Sequence, residues 1–69
     1  MNSFFQEKHP SITRFEQMLK TNKVLFFDGI EFENIILHYI DLGKFNLAKK
    51  ALAIGMDQHP KNIELMLLK

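Results

Sequence analysis

Residues 40–60 have the sequence "IDLGKFNLAKKALAIGMDQHP". It predicts the end of one helix, a turn at Gly43 and a second helix over about 45–58. Glycine suits the left-handed position that follows a helix. Pro60 stops the second helix because proline has no backbone N–H and clashes with the preceding turn. The stretch therefore predicts a pair of helices joined by a short turn.

Small residues line one face of the second helix. Glycine inside a helix costs about 1 kcal/mol relative to alanine, yet Gly55 lies in its interior. Together with Ala48 and Ala51 it forms a ladder of small residues on the apolar face. We therefore expect a neighbouring helix to approach this ladder backbone to backbone, which offsets the cost of the glycine.

The first helix of the pair carries a start signal. Asp28 and Glu31 have the spacing of a capping box, in which each side chain satisfies a backbone N–H of the other residue. Phe27 and Phe32 have the spacing of a hydrophobic staple around the same helix start, near Gly29. Apolar residues then cover most of the circumference, which predicts a helix sandwiched between neighbours. They are Ile30, Phe32, Ile35, Ile36, Leu37, Tyr39, Ile40 and Leu42.

One helix is predicted before the pair and a short one after it. The earlier helix begins near Pro10 and ends near Asn22. The apolar sequence "VLFF" follows it at residues 24–27 and predicts a buried connector. The last helix starts after Asn62, and the chain stops in mid-pattern. One apolar stripe on the earlier helix has helical spacing and consists of Ile12, Phe15, Met18 and Leu19.

Residues 29–62 resemble one tetratricopeptide repeat, a unit of 34 residues that folds as two antiparallel helices. Ile36 departs from the pattern, which prefers a small residue at that position. The positions that match are Phe32, Ile35, Tyr39, Gly43, Phe45, Ala48, Leu52, Gly55 and Pro60. The resemblance implies an all-α fold, an antiparallel helical hairpin with an N-terminal capping helix and a truncated C-terminal helix.

This interpretation divides the chain into four parts. Arg14 and Thr21 fall where a preceding repeat would have small residues, so the segment that contains them is interpreted as a capping helix. Because the pattern stops within a repeat, we expect the chain to be a fragment of a longer repeat array. The parts are a flexible tail at 1–9, the capping helix and connector at 10–28, a tetratricopeptide-like repeat at 29–62 and the start of a second repeat at 63–69.

Composition excludes several classes of function. The 69 residues make at most one small domain. Nine basic and eight acidic residues give a net charge of +1, so charge offers no case for binding nucleic acid or an anionic membrane. The chain has no cysteine, which excludes disulfides and thiolate metal sites. No apolar run approaches the about 20 residues that span a bilayer, and we expect a cytoplasmic protein.

Residue patterns give no support to catalysis. His9, His38 and His59 lack the spacing of metal ligands and are interpreted as surface or turn histidines. The three glycines are isolated, so no phosphate-binding loop is predicted. Glu31 is explained by capping, and Glu33 points in another direction on the helix. We expect no enzymatic activity, no metal and no cofactor.

The resemblance implies a function in protein binding. In this family the first helix of each repeat lines a concave groove that holds an extended peptide or a partner helix. The corresponding residues here are Ile30, Glu33, Asn34, Leu37, Ile40 and Asp41. An alternative is that neighbouring helices cover Ile30, Leu37 and Ile40 as ordinary core. We expect a scaffold or adaptor whose partner is a protein or peptide.

Two further possibilities concern the rest of the surface. A small basic patch, formed by Lys44, Lys49, Lys50 and Lys61, would suit an accessory or regulatory subunit of an enzyme or nucleic-acid complex, although a solvated helix face explains it equally well. The end of the chain predicts self-association, since no later helix covers its apolar residues. These are Ile63, Leu65, Met66, Leu67 and Leu68. We expect a dimer that buries them together with the small-residue ladder.

Overall fold

The computed structural model describes residues 9–68, and this range folds as four helices with no strand. The helices are α1 (Pro10–Thr21), α2 (Gly29–Asp41), α3 (Phe45–Gln58) and α4 (Ile63–Leu68). The predicted all-α class is confirmed. The predicted flexible tail at residues 1–9 lies outside the described residues except for His9, as does Lys69.

A helical hairpin of α2 and α3 forms the centre of the fold. The two helices make the most extensive contact between any pair of elements, α1 packs on α2, and α4 packs on both α2 and α3. At the end of α2, Gly43 has φ of 74°. The Lys44 N–H donates to the Tyr39 carbonyl at 2.8 Å and the Gly43 N–H donates to the Ile40 carbonyl at 2.9 Å. These two bonds are those of a Schellman turn, so Gly43 ends α2 as predicted.

The start of α2 is fixed by the predicted local signals. The Asp28 N–H donates to Oε1 of Glu31 at 2.9 Å, and the reciprocal half of the capping box is also present. The rings of Phe27 and Phe32 lie 5.4 Å apart in an edge-to-face arrangement. The capping box and the hydrophobic staple are therefore both confirmed, and α2 begins at Gly29.

The core is built from one side of each helix. Burying each large side chain contributes about 1.5–3 kcal/mol relative to leaving it in water. The buried apolar residues are Ile12, Phe15, Met18, Phe27, Phe32, Ile35, Ile36, Tyr39, Ala48, Ala51 and Leu65.

Gly55 lies against side chains and not against a helix backbone. A Cβ atom placed on it would lie 3.0 Å from Cγ of Phe32 and 3.3 Å from Cδ1 of Leu65. The expectation of close packing is thus correct, but the expected backbone-to-backbone approach is wrong. An aromatic ring from α2 fills the space that the missing side chain leaves.

The connector between α1 and α2 is buried on one side only. Val24 is 85% exposed and Phe26 is 63% exposed, whereas Phe27 is fully buried. An extended chain points successive side chains in opposite directions, so the prediction of a wholly buried connector is wrong. Its buried side is held by Gln58, whose Oε1 accepts from the Phe27 N–H at 3.0 Å and whose Nε2 donates to the Leu25 carbonyl at 2.8 Å.

The expectation for the C-terminal end requires a correction. Leu65 is fully buried within the chain and Leu68 is partly buried, whereas Ile63, Met66 and Leu67 are exposed. The small-residue ladder of α3 is also buried within the chain. It is therefore not available to a second copy, and of the residues predicted for self-association, those that the described chain leaves exposed are Ile63, Met66 and Leu67 on the outer side of α4.

Candidate protein-interaction surface

One side of α2 faces solvent along its length. Ile30 is 71% exposed, Leu37 is 50% exposed and Ile40 is 41% exposed. Their helical spacing places them on one side of the helix, together with the other three predicted groove residues. We call this set the α2 face; it consists of Ile30, Glu33, Asn34, Leu37, Ile40 and Asp41.

No described helix covers the α2 face. The contacts of α2 with the rest of the core are made from the other side of the helix, through Phe32, Ile35 and Tyr39, which are fully buried. The prediction that α2 is sandwiched on most sides is therefore wrong for the α2 face. The alternative, that neighbouring helices cover Ile30, Leu37 and Ile40 as ordinary core, does not hold within residues 9–68, where all three are exposed.

A small cavity adjoins one end of the α2 face. It has a volume of about 140 Å³ and lies between the last turns of α2, the start of α3 and the end of α4. Ile40 of the α2 face lines it, together with Phe45, Leu52 and Leu68. The apolar surface of α2 therefore continues toward α4 and does not end at Ile40.

The charges on α2 are mostly negative. The helix contains Glu31, Glu33 and Asp41 and no Lys or Arg. Nη1 of Arg14 pairs with Oε2 of Glu31 at 3.3 Å, and the structure shows no ion pair for Glu33 or Asp41 within residues 9–68. The α2 face therefore combines three exposed apolar side chains with two carboxylates that have no cationic partner in this range.

Arg14 positions the start of α2 against α1. Its guanidinium donates to the Phe26 carbonyl at 3.1 Å and to Glu31 at 3.3 Å, and its Cζ lies 4.5 Å from the centre of the Phe27 ring. These contacts hold the connector and the first turn of α2 in place. No sequence pattern signals this role, because the partners are 12 to 17 residues away along the chain.

The four lysines of the predicted basic patch do not gather on one surface. Lys44 precedes α3 and Lys61 follows it, and a 14-residue helix spans about 21 Å. Lys49 lines the small cavity beside α2, whereas Lys50 lines a different cavity beside α1. Their charges therefore point in several directions.

The three histidines occupy unrelated positions. His9 caps α1, and its Nδ1 accepts a hydrogen bond from the Ser11 N–H at 3.1 Å. Nε2 of His59 donates to the Phe27 carbonyl at 2.7 Å. Nε2 of His38 is buried and has no hydrogen-bond partner in the described part of the chain. Within residues 9–68 no three His, Asp or Glu side chains are grouped in a way that could hold a metal ion.

Comparison with known proteins gives no assignment. The chain matches no protein-family model, no curated protein and no solved structure. None of the helices α1–α4, which make up the described chain, has the length and hydropathy of a membrane-spanning helix. A functional assignment therefore rests on the geometry and charge of the surface.

Proposed function

We propose that this protein is a non-enzymatic interaction module, a scaffold or adaptor, that binds a segment of another protein along the α2 face. The observation that carries the proposal is the exposure of Ile30, Leu37 and Ile40 on one side of a helix whose ends are fixed. An apolar stripe of this kind is a typical docking surface for an amphipathic helix or an extended peptide. Such a surface is costly to leave in water unless a partner covers it.

The charge of the α2 face favours a basic partner. Glu33 and Asp41 flank the apolar stripe, and α2 carries no Lys or Arg to offset them. Opposite charges across an interface accelerate encounter and exclude wrong partners, even where they add little affinity. The partner is therefore a segment with apolar residues at helical spacing, flanked by Lys or Arg.

A tetratricopeptide-type architecture is part of the proposal. Four features support it: the α2–α3 hairpin, the glycine turn at Gly43, the buried small residues of α3, and the position of α4. Helix α4 packs on both helices of the pair, as the first helix of a next repeat would. Stacking of such units would extend the α2 face into a longer binding surface.

The accessory-subunit alternative gains no support from the geometry. Phosphate binding needs several cations on one surface, and the four lysines lie at both ends and on different sides of α3. The α2 face is acidic and would repel phosphate. We therefore retain the interaction module as the proposed function.

The test is a selection from a random peptide-display library, carried out in parallel on three proteins. They are the natural chain, Leu37→Glu on the α2 face, and Val24→Glu, a matched control at an exposed apolar residue elsewhere. Both substitutions are at exposed positions, where stability changes are usually within about 0.5 kcal/mol. Circular dichroism of each variant checks that it folds.

The proposal predicts enriched peptides that carry apolar and basic residues and that bind Leu37→Glu at least about ten-fold more weakly, the size of effect found at the centre of an interface. The same peptides should bind Val24→Glu as they bind the natural chain. Peptides that are insensitive to Leu37→Glu, or a selection that enriches none, would overturn the proposal.

A further inference from the structure

A second open surface lies between α1 and α3. No Cα atom of α1 comes within 8 Å of one in α3 in the described chain, although each helix packs on α2. The space between them is an open cavity of about 280 Å³, which we call the α1–α3 cleft. It shares no residue with the α2 face, and its volume is just below the range of about 300–1,000 Å³ for pockets that hold drug-sized molecules, so it would suit only a small ligand.

The interior of the cleft is largely apolar. Met18 and Leu19 line it from the last turns of α1, and Ile54 lines it from α3. Val24 stands at its edge with 85% of its surface exposed. Val24 is therefore not part of the core. The cleft therefore offers apolar contacts on both walls and at its rim.

Charged side chains surround this apolar interior. Lys23, Lys50 and Asp57 line the cleft, and the structure shows no ion pair for any of them within residues 9–68. The lining thus carries a net charge of +1, from two cations and one anion. Gln58 also lines the cleft, but its amide is already bonded to the backbone of the connector.

We infer that the α1–α3 cleft binds a small amphipathic carboxylate, a short alkyl chain that ends in one carboxylate group. The alkyl chain would contact Met18, Leu19 and Ile54, and the carboxylate would lie between Lys23 and Lys50. Asp57 disfavours a second negative charge on the ligand. The inference does not depend on the proposed function of the α2 face.

The probes are three compounds with the same alkyl chain: octanoate, octanol and octylammonium. Each is titrated into the full 69-residue chain and followed by amide and methyl NMR shifts. We expect saturable shifts at Val24, Lys50 and Ile54 with octanoate. Octanoate should bind about five-fold more tightly than octanol, because each exposed ion pair contributes a factor of about two to three, and octylammonium should bind most weakly.

Two variants separate the charge contribution from the apolar one. The double variant Lys23→Gln, Lys50→Gln should bind octanoate no more tightly than octanol, because Asp57 is then the one charge left in the lining. Leu37→Glu on the α2 face should bind octanoate as the natural chain does. Equal binding of all three compounds by the natural chain would overturn the inference, as would shifts outside the cleft. Octanoate shifts that weaken as protein concentration rises would also overturn it, because a second copy would then occupy the cleft.

Discussion

The Tyr39 hydroxyl donates a hydrogen bond to Oε2 of Glu16 at 2.9 Å and thereby joins α2 to α1. The Tyr39 side chain is fully buried, and its ring lies 6.1 Å from that of Phe15. Burial is the main cause that raises the pKa of Tyr39 above its ordinary value of about 10, and the Glu16 carboxylate raises the pKa further as acceptor and as a nearby charge. The neutral hydroxyl is therefore part of the contact between the two helices.

Alkaline pH should weaken the fold through Tyr39. A pKa that is raised in the folded state contributes stability that is complete below the unfolded pKa of about 10 and is lost as pH rises above it. Because the chain has one tyrosine, its tyrosinate absorbance reports Tyr39 alone. We expect the Tyr39 hydroxyl to ionise only well above pH 10 while the protein stays folded. The Tyr39→Phe variant has no hydroxyl to ionise, so it should lose less stability than the natural chain as the pH rises above 10. Ionisation near pH 10 in the folded protein would contradict the burial of the hydroxyl.

A larger residue at Gly55 should destabilise the protein. Phe32 and Leu65 occupy the space around the missing Cβ, and both are fully buried. Gly55→Leu should therefore cost about 1–3 kcal/mol by overpacking, measured by urea unfolding. Gly55→Ala should cost less, since the gain in helix propensity of about 1 kcal/mol offsets the contact. An unchanged midpoint for Gly55→Leu would show that the ring of Phe32 does not lie there.

Gly43 provides a contrasting case. Apart from its two neighbours in the chain, no atom of residues 9–68 lies within 4 Å of a Cβ placed on it, but its φ of 74° is unfavourable for other residues. Gly43→Ala should cost about 1–2 kcal/mol through the backbone alone. A substitution at Gly43 without cost in the same unfolding experiment would contradict the left-handed turn.

The capping box should show coupling between its two members. Asp28→Ala should cost about 1 kcal/mol. Glu31→Ala should cost a similar amount, because one Glu31 oxygen accepts from the Asp28 N–H and the other pairs with Arg14. The double variant should cost less than the sum, since both residues serve one motif. Strict additivity in chemical denaturation would argue against the box.

Self-association should depend on the outer side of α4. Ile63, Met66 and Leu67 are exposed there, so we expect light scattering to show a mass that rises with concentration. The double variant Ile63→Glu, Leu67→Glu should stay monomeric and folded. Leu65→Glu should instead unfold the protein, because Leu65 is fully buried. A natural chain that remains monomeric at high concentration would contradict this prediction.

Local signals made much of the hairpin predictable. The cap at Asp28 and the turn at Gly43 each depend on residues within one helical turn, so short sequence patterns identify them. The sequence therefore predicts α2 from its first residue to its terminal turn, and α3 to within a residue.

Long-range contacts were not predictable in the same way. Gln58 accepts a hydrogen bond from the Phe27 N–H, which is 31 residues away in the sequence, and Arg14 donates one to Glu31, which is 17 residues away. Such pairs follow from how helices pack, and no spacing in the sequence encodes them. The exposure of Leu37 was not predictable either. Periodicity shows which side of a helix is apolar, but not whether another helix covers that side.

We propose that the α2 face binds a basic amphipathic segment, on the basis of its exposed apolar residues and its acidic charge. The most direct measurement is an NMR titration of the full chain with a synthetic amphipathic helix that carries leucines on one side and lysines beside them. Its matched control is the same peptide with every lysine replaced by glutamate. We predict saturable shifts centred on Ile30, Leu37 and Ile40, and several-fold weaker binding of the acidic peptide at low salt. Shifts confined to α4 or to the α1–α3 cleft, or no saturable shift at all, would contradict the claim.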